Sequence, residues 1–135
     1  MVMVMSTNTS DFIAPAKDPD SQHPVASQWR PTLSRIVSQL AKGDYSPSLG
    51  LGHSVDLPKE SAEQIRQYLD NFGESLTDLP DATWATSVAT WQVSHWELIV
   101  DLWTLESGRS DLIPAVTVYE EDDHFRFEVD SIYVP

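Results

Sequence analysis

The spacing of apolar residues changes near residue 82, and this change constrains the fold more than any other feature of the chain. Before it, apolar residues recur at helical spacing in two segments, at about 31–42 and 58–72. After it, β-branched and aromatic residues become common and alternate with polar ones, a period of two that is typical of strands. The sequence therefore predicts two helices followed by a sheet.

Both predicted helices have recognisable ends. Pro31 suits a first helical turn, and Gly43 follows the last apolar position of the first helix. Asp56 is expected to cap the second helix, and Gly73 follows its end. The segment 44–55 contains two glycines and a proline, so it predicts a loop between the helices.

Alternating residues predict four strands, at 86–93, at 96–105, at 111–121 and from Phe125 to the end of the chain. In the last strand the apolar residues shift from odd to even positions, which predicts a β-bulge near Asp130-Ser131. Pro114 cannot donate a hydrogen bond to a neighbouring strand, so we expect a sheet edge or a bulge there.

These elements predict an α+β fold in which two N-terminal helices pack on a four-stranded antiparallel meander sheet. A cone-shaped sheet wrapped around a pocket is the alternative geometry. Residues 1–24 have no apolar periodicity and contain three prolines, so we expect a disordered tail before a single domain over 25–135.

Composition excludes several classes of function. A net charge of −13, with only eight Lys and Arg, opposes nucleic-acid binding, which depends on cations that neutralise phosphates. The absence of cysteine excludes disulfides and thiolate metal sites. The apolar start of the chain is too short for a signal peptide, and no apolar run is long enough to span a membrane. We therefore expect a soluble, cytoplasmic protein that has no cofactor.

Negative charge is concentrated at the C-terminal end. Residues 91–135 contain ten acidic and two basic residues, a net charge of −8. Such a field could steer a basic protein partner towards this part of the chain. The plainer interpretation is that the charge keeps a small protein soluble.

One predicted strand face combines acids with a tryptophan. Glu97, Asp101 and Trp103 alternate on the same side of the strand at 96–105, and a tryptophan among acids is a good anchor for a partner. Arg109 lies in the following turn, where it is expected to bridge a nearby carboxylate. The residues that we expect to bind a partner are Glu97, Asp101, Trp103, Arg109, Asp111, Tyr119, Glu128 and Asp130.

Catalytic and metal signatures are weak. No pattern links a serine to a histidine and an acid, and no paired-histidine zinc motif or calcium loop is present. His95 and Glu97 share a strand face and could meet His124 or Asp123, but nothing else supports a metal there. Two acids on neighbouring strands could form a general acid–base pair. We predict no catalytic residue and no metal ligand.

Two segments carry a family resemblance. Asp101-Leu102-Trp103-Thr104, followed by Gly108-Arg109-Ser110-Asp111-Leu112, resembles the signature of a family of small bacterial proteins known as a domain of unknown function. The resemblance covers about residues 30–134, with Ser107 in place of an acid and Pro114 inside the next strand as departures. It implies no activity, cofactor or catalytic residue.

Three hypotheses about function follow. The first is an acidic protein-binding domain, in particular an immunity-type inhibitor of a basic toxin. The second is a small enzyme or ligand carrier with a carboxylate-lined pocket between helices and sheet, in which Asp101 or Asp130 is the base. The third is a homodimer that forms through the open sheet face or the edge near Pro114.

Overall fold

The computed structural model describes residues 12–135, which form two helices, eight strands and two short 3₁₀ helices. The helices are α1 (Arg30–Ala41) and α2 (Lys59–Phe72), and the 3₁₀ helices are Ser27–Trp29 and Asp81–Ala85. The strands are β1 (His23–Pro24), β2 (Val55–Asp56), β3 (Val88–Trp91), β4 (Trp96–Ile99), β5 (Trp103–Thr104), β6 (Gly108–Arg109), β7 (Ile113–Glu120) and β8 (Phe125–Tyr133).

Six of the strands form one sheet in the order β1-β3-β4-β7-β8-β2, and β5 pairs only with β6. All pairs are antiparallel except β2 with β8. The predicted α+β class, with two helices and a mostly antiparallel sheet, is confirmed. The prediction of four strands is wrong, and the helices are not both N-terminal, because β1 precedes α1 and β2 separates the helices. Two-residue strands are too short to show a period, so no periodic pattern in the sequence indicates them.

The core lies between the two helices and one face of the six-stranded sheet. Helix α1 buries Leu33, Ile36, Val37 and Leu40, which fall on one side of it, and α2 buries Ile65. Burial of each such side chain contributes about 1.5–3 kcal/mol. On the sheet, the buried partners alternate along the strands and include Trp96, Leu98, Val116, Val118, Phe127 and Val129.

An aromatic cluster closes one end of the core. Trp29 and Trp96 meet edge to face with ring centroids 5.0 Å apart, and Phe125 lies 5.5 Å from Trp29. The indole Nε1 of Trp96 donates a hydrogen bond of 3.0 Å to the carbonyl of Ala16. Residues before β1 therefore pack against this cluster.

The segment 12–24 makes further backbone contacts with the domain. Ser27 N–H donates to the carbonyl of Ile13 at 2.8 Å, and Ile13 N–H donates to Ser27 Oγ at 2.7 Å. His23 and Pro24 pair with β3. Residues 1–11 lie outside the described part of the chain, and the domain boundary at residue 25 stays a prediction.

The predicted β-bulge is confirmed. Ala115 stands opposite Ser131, whereas Val116 stands opposite Val129, so β8 has one extra residue, Asp130. The extra residue turns Asp130 away from the core and allows β8 to bury apolar residues on both sides of the bulge.

Pro114 lies next to this bulge. It stands opposite Ile132 of β8, and β4 ends opposite Ala115, so no residue of β4 pairs with the proline. Its missing N–H therefore breaks no hydrogen bond with β4, as expected for a proline beyond the end of a neighbouring strand.

The single strand predicted over 96–105 is wrong. Strand β4 ends at Ile99, and the chain turns at Asp101 into the β5–β6 hairpin. Thr83 Oγ1 donates a 2.6 Å hydrogen bond to the carbonyl of Asp101, and Asp101 N–H donates to Ser87 Oγ at 3.0 Å. These two bonds satisfy the backbone of Asp101 away from the sheet.

Candidate partner-binding face

Within residues 12–135, no helix covers the sheet surface opposite the core, and we call this surface the open face. A row of polar residues crosses it, because Glu97 stands opposite Thr117, Thr117 opposite Glu128, and Glu128 opposite Asp56. With neighbouring strands about 4.8 Å apart, this row is about 14 Å wide. Three carboxylates are thus held on one surface by the register of β2, β4, β7 and β8.

Asp130 adds a fourth carboxylate to this surface. Its Oδ2 accepts a hydrogen bond of 2.8 Å from Thr117 Oγ1. Burial raises the pKa of Asp130, with further increases from the negative charges of Glu128 and Glu97, while Thr117 and the positive charge of His95 act to lower it. The direction of this shift indicates that burial of the Asp130 carboxylate outweighs the hydrogen bond from Thr117.

Arg126 is the one Lys or Arg among the described residues of this row and its neighbours on β7 and β8. Its Nη1 lies 2.9 Å from Asp56 Oδ2, and its guanidinium lies 4.3 Å from the centroid of the Tyr119 ring. Tyr119 Oη donates a long hydrogen bond of 3.4 Å to Glu128, and burial followed by the charge of Glu128 raises the pKa of the phenol. Arg126 therefore neutralises Asp56.

The other three carboxylates of the open face have no Lys or Arg partner. Within residues 12–135, the ion pair of Glu97 is with His95, whose Nε2 lies 3.6 Å away, and neither Glu128 nor Asp130 lies within 4.0 Å of a basic side chain. This half of the face therefore has three carboxylates and, within the described residues, no Lys or Arg that neutralises them. We call Glu97, Glu128 and Asp130 the acidic half.

The other end of the open face is an open groove with a volume of about 530 Å³. Its apolar part is formed by Ile99, Ile113, Tyr133 and Val134, and its charged rim by Asp101, Arg109 and Asp111. Ile113 and Tyr133 stand opposite each other on β7 and β8. We call this surface the apolar groove.

Arg109 does not form the predicted bridge to a carboxylate in its turn. It is exposed, and among residues 12–135 no carboxylate lies within 4.0 Å of it. The Asp101 side chain, by contrast, has a partner, because its carboxylate accepts a hydrogen bond from Thr86 Oγ1. The rim therefore presents a guanidinium that the described part of the chain does not neutralise.

Trp103 does not lie on the open face, so the position predicted for it is wrong. It belongs to β5 and stands opposite Arg109, and a Cβ built on Gly108 would lie 3.9 Å from its ring. Its indole Nε1 is buried and has no hydrogen-bond partner among the described residues. The sequence misplaced it because the chain leaves the sheet at Asp101.

The structure thus divides the eight predicted residues into three groups. Glu97, Tyr119, Glu128 and Asp130 meet at the acidic half, Asp101, Arg109 and Asp111 surround the apolar groove, and Trp103 lies apart. The sequence did not predict that Thr117 binds the Asp130 carboxylate, nor that an apolar groove lies on the open face. The strict alternation of β7 could have indicated both, because Ile113 and Thr117 occupy its outward positions.

A second groove, with a volume of about 730 Å³, lies between α2 and the sheet edge at β2. Charged groups face it from both sides, and its apolar lining includes Leu57 and Ala62. Burial, followed by the charge of Asp70, raises the pKa of Tyr45 at its wall. The full set of lining residues is Tyr45, Pro47, Asp56, Leu57, Pro58, Lys59, Ala62, Glu63, Arg66 and Glu128.

Among residues 12–135, no three His, Asp or Glu side chains converge in a way that could hold a metal ion. His95 and His124 belong to separate pairs, with Glu97 and Asp123 respectively. No helix of the described chain has the length and apolar character needed to span a membrane.

Comparison with known proteins gives one match. The model of a protein family described as a Domain of unknown function (DUF7668) matches residues 37–135. This range contains the strand and hairpin segments on which the family resemblance rested. No curated protein and no solved structure gives a significant match.

Proposed function

Because the chain belongs to the DUF7668 family, a domain of unknown function, we propose a role from its own surface: it is a protein-binding domain that holds a basic partner on the open face. One observation carries the proposal. Glu97, Glu128 and Asp130 lie together on an uncovered surface, and no Lys or Arg of the described chain neutralises them. Cations from a partner would supply the missing compensation.

Electrostatics also favours fast association. The chain has a net charge of −13, and its acidic half lies on a sheet surface that no described helix covers. A field of one sign raises the association rate of an oppositely charged partner, with a strong dependence on salt. An immunity-type inhibitor of a basic toxin is the specific form of this role that the charge favours.

The test is affinity capture with a charge-neutral variant. The full chain, immobilised, is incubated with lysate of its own source at about 50 mM and about 500 mM salt. The test variant replaces the acidic half (Glu97→Gln, Glu128→Gln and Asp130→Asn). A matched control removes the same charge from exposed positions elsewhere (Glu60→Gln, Asp70→Asn and Asp78→Asn).

We expect one basic protein to be retained at low salt by the wild type and by the control, and to be lost from the test variant. A protein retained equally by all three would contradict the proposal, as would the recovery of no basic protein. For the toxin form, co-expression with a basic toxin encoded beside this gene should restore growth with the wild type and fail to do so with the test variant.

The groove between α2 and the sheet edge supports a second candidate, a ligand carrier or small enzyme. Asp56, Glu63 and Glu128 supply carboxylates to this groove, as a carboxylate-lined pocket between helix and sheet requires. Asp101 and Asp130, the bases first considered, line neither wall of it. In this form of the hypothesis Glu128 replaces them as the candidate base.

A thermal-shift screen of amino acids, sugars and nucleosides tests this second candidate. A true ligand of the groove should raise the Tm of the wild type, and Ala62→Trp, which fills the groove, should abolish that increase. Gln67→Trp, on the exposed side of the same helix, is the control. If Ala62→Trp leaves every ligand-induced shift intact, the groove is not the binding site.

A further inference from the structure

The open face combines a charged surface, the acidic half, with an apolar one, the apolar groove. On β4, Glu97 belongs to the acidic half and Ile99 to the apolar groove, and the two residues point the same way about 7 Å apart. On β7, Thr117 and Ile113 repeat the same order. A single partner lying on the sheet would therefore touch both surfaces.

The apolar groove has the composition of an interface centre. Ile99 is 38% exposed and Val134 is 40% exposed, which makes them two of the five large apolar side chains that are exposed within the described chain. They are held in a concave surface with Asp101, Arg109 and Asp111 at its rim. An exposed apolar centre inside a charged rim is typical of a protein-binding surface.

Strand addition is not available to a partner on the β8 side of the sheet. Strand β2 pairs with Phe127 and Glu128, and further along β8 the Gln64 side chain bonds both backbone groups of Ile132. Tyr68 Oη accepts a hydrogen bond of 3.1 Å from Val134 N–H. These edge groups of β8 are already used, so on this side of the sheet a partner would bind through the face.

The charge of the face argues against a second copy of the chain. A symmetric dimer through the open face would bring two acidic halves towards each other, and like charges in an interface are unfavourable. A helix is about 10 Å wide and spans two or three strands at 4.8 Å spacing. A helix with apolar residues on one side and cations along its flanks matches both halves at once.

We propose that the partner of the open face presents a basic amphipathic helix, whose apolar side lies in the groove formed by Ile99, Ile113 and Tyr133 and whose Lys and Arg reach the acidic half. This inference rests on the proposed function and specifies the part of the partner that is bound. It assigns a binding role to Ile99 and Val134, which the charge argument alone does not give them.

The probe is a fluorescein-labelled synthetic peptide of about 14 residues, with Leu on one helical face and Lys on the other. A peptide of the same composition in scrambled order is its control. Fluorescence anisotropy gives the Kd of each for the full chain, for the double variant Ile99→Ser with Val134→Ser, and for Leu105→Ser. Leu105 is 74% exposed at the tip of the β5–β6 hairpin and tests the loss of an apolar side chain outside the groove.

We expect the amphipathic peptide to bind about tenfold more tightly than the scrambled one. The double variant should lose about fivefold or more of that affinity, while Leu105→Ser keeps it. Equal binding of both peptides, or an unchanged Kd in the double variant, overturns the inference. In that case capture that still depends on Glu97, Glu128 and Asp130 leaves the proposed function standing.

Light scattering of the wild type tests whether a second copy of the chain, and not a partner helix, occupies the open face. A monomer is expected at the concentrations used for the titration. A dimer that dissociates in the Ile99→Ser and Val134→Ser variant would assign the groove to a second copy of the chain and overturn the inference.

Discussion

Gln64 of α2 pairs with the main chain of Ile132 in the way that a neighbouring strand would. Its Nε2 donates to the carbonyl at 2.8 Å, and its Oε1 accepts from the N–H at 3.1 Å. One side chain thus satisfies both edge groups of Ile132 and blocks this part of β8 from pairing with another chain.

The first prediction removes this pairing. Gln64→Ala loses two hydrogen bonds to a buried strand residue, so we expect the free energy of unfolding to fall by about 1–3 kcal/mol in urea titrations. The freed edge should also promote self-association above the concentration at which the wild type is monomeric. Gln67→Ala, exposed on the same helix, should change neither quantity. A Gln64→Ala protein as stable as the Gln67→Ala protein would contradict this role.

The second prediction concerns pH. The pKa of Asp130 is raised above its usual value of 3.8, chiefly by burial. The folded protein therefore retains the proton to a higher pH than the unfolded chain, and stability falls as the pH rises from 3.8 through the raised pKa. Asp130→Asn should be more stable than the wild type at pH 7, by less than about 1 kcal/mol because the side chain is partly exposed.

This advantage of Asp130→Asn should vanish below about pH 3, where the wild-type carboxyl is largely protonated in both the folded and the unfolded state. Thermal melts across this range give the comparison. Asp122→Asn, in the exposed β7–β8 turn, controls for the loss of one negative charge. A destabilised Asp130→Asn protein at pH 7 would show that the ionised carboxylate is compensated after all.

The third prediction tests the attachment of the segment before β1. Trp96→Phe keeps an aromatic ring in the cluster but loses the hydrogen bond to Ala16 and leaves a cavity. We expect a loss of about 2–4 kcal/mol and faster hydrogen exchange of backbone amides around Ala16. Trp84→Phe, which removes a half-buried indole that makes no hydrogen bond within residues 12–135, should leave that exchange unchanged. Unchanged exchange in both variants would rule out this anchoring.

The fourth prediction tests the turn at the end of β4. Thr83 is fully buried, and its hydroxyl donates to the carbonyl of Asp101 at 2.6 Å. Thr83→Val keeps the shape but leaves that carbonyl without its donor, which should lower stability by about 1–3 kcal/mol. Thr90→Val, on the open face of β3, should be neutral. Equal stability of the two variants would mean that the hydrogen bond does not hold the turn.

The helices could be predicted because the residues that determine them lie close together in the sequence. One side of α1 carries Leu33, Ile36, Val37 and Leu40. The predicted ranges 31–42 and 58–72 differ from the observed ends of α1 and α2 by at most one residue. The cap was wrong, because Asp56 joins β2 and pairs with Arg126 instead. That ion pair joins residues 70 positions apart, and no local pattern reports it.

The candidate site could be predicted only where it follows strict alternation. Glu97, Glu128 and Asp130 share a face because β4 and β8 run through the sheet, and the bulge was visible in the shift of apolar positions. The position predicted for Trp103 was wrong because the turn before it depends on hydrogen bonds of Asp101 with Thr83 and Ser87, which lie more than a dozen residues away. Non-local hydrogen bonds override the period there.

The extra residue Asp130 shifts the inside–outside alternation of β8 by one position, so the residues before and after it follow two different frames. Up to Val129 the odd positions fill the core, and after the bulge Ile132, at an even position, does so. Deleting Asp130 would bring the two halves into a single frame, with Ser131 still directed outwards and Ile132 still directed into the core. Alignments and designs of this family should therefore treat the position as an insertion with its own column, because an alignment that omits the gap assigns the wrong face to every later residue of β8.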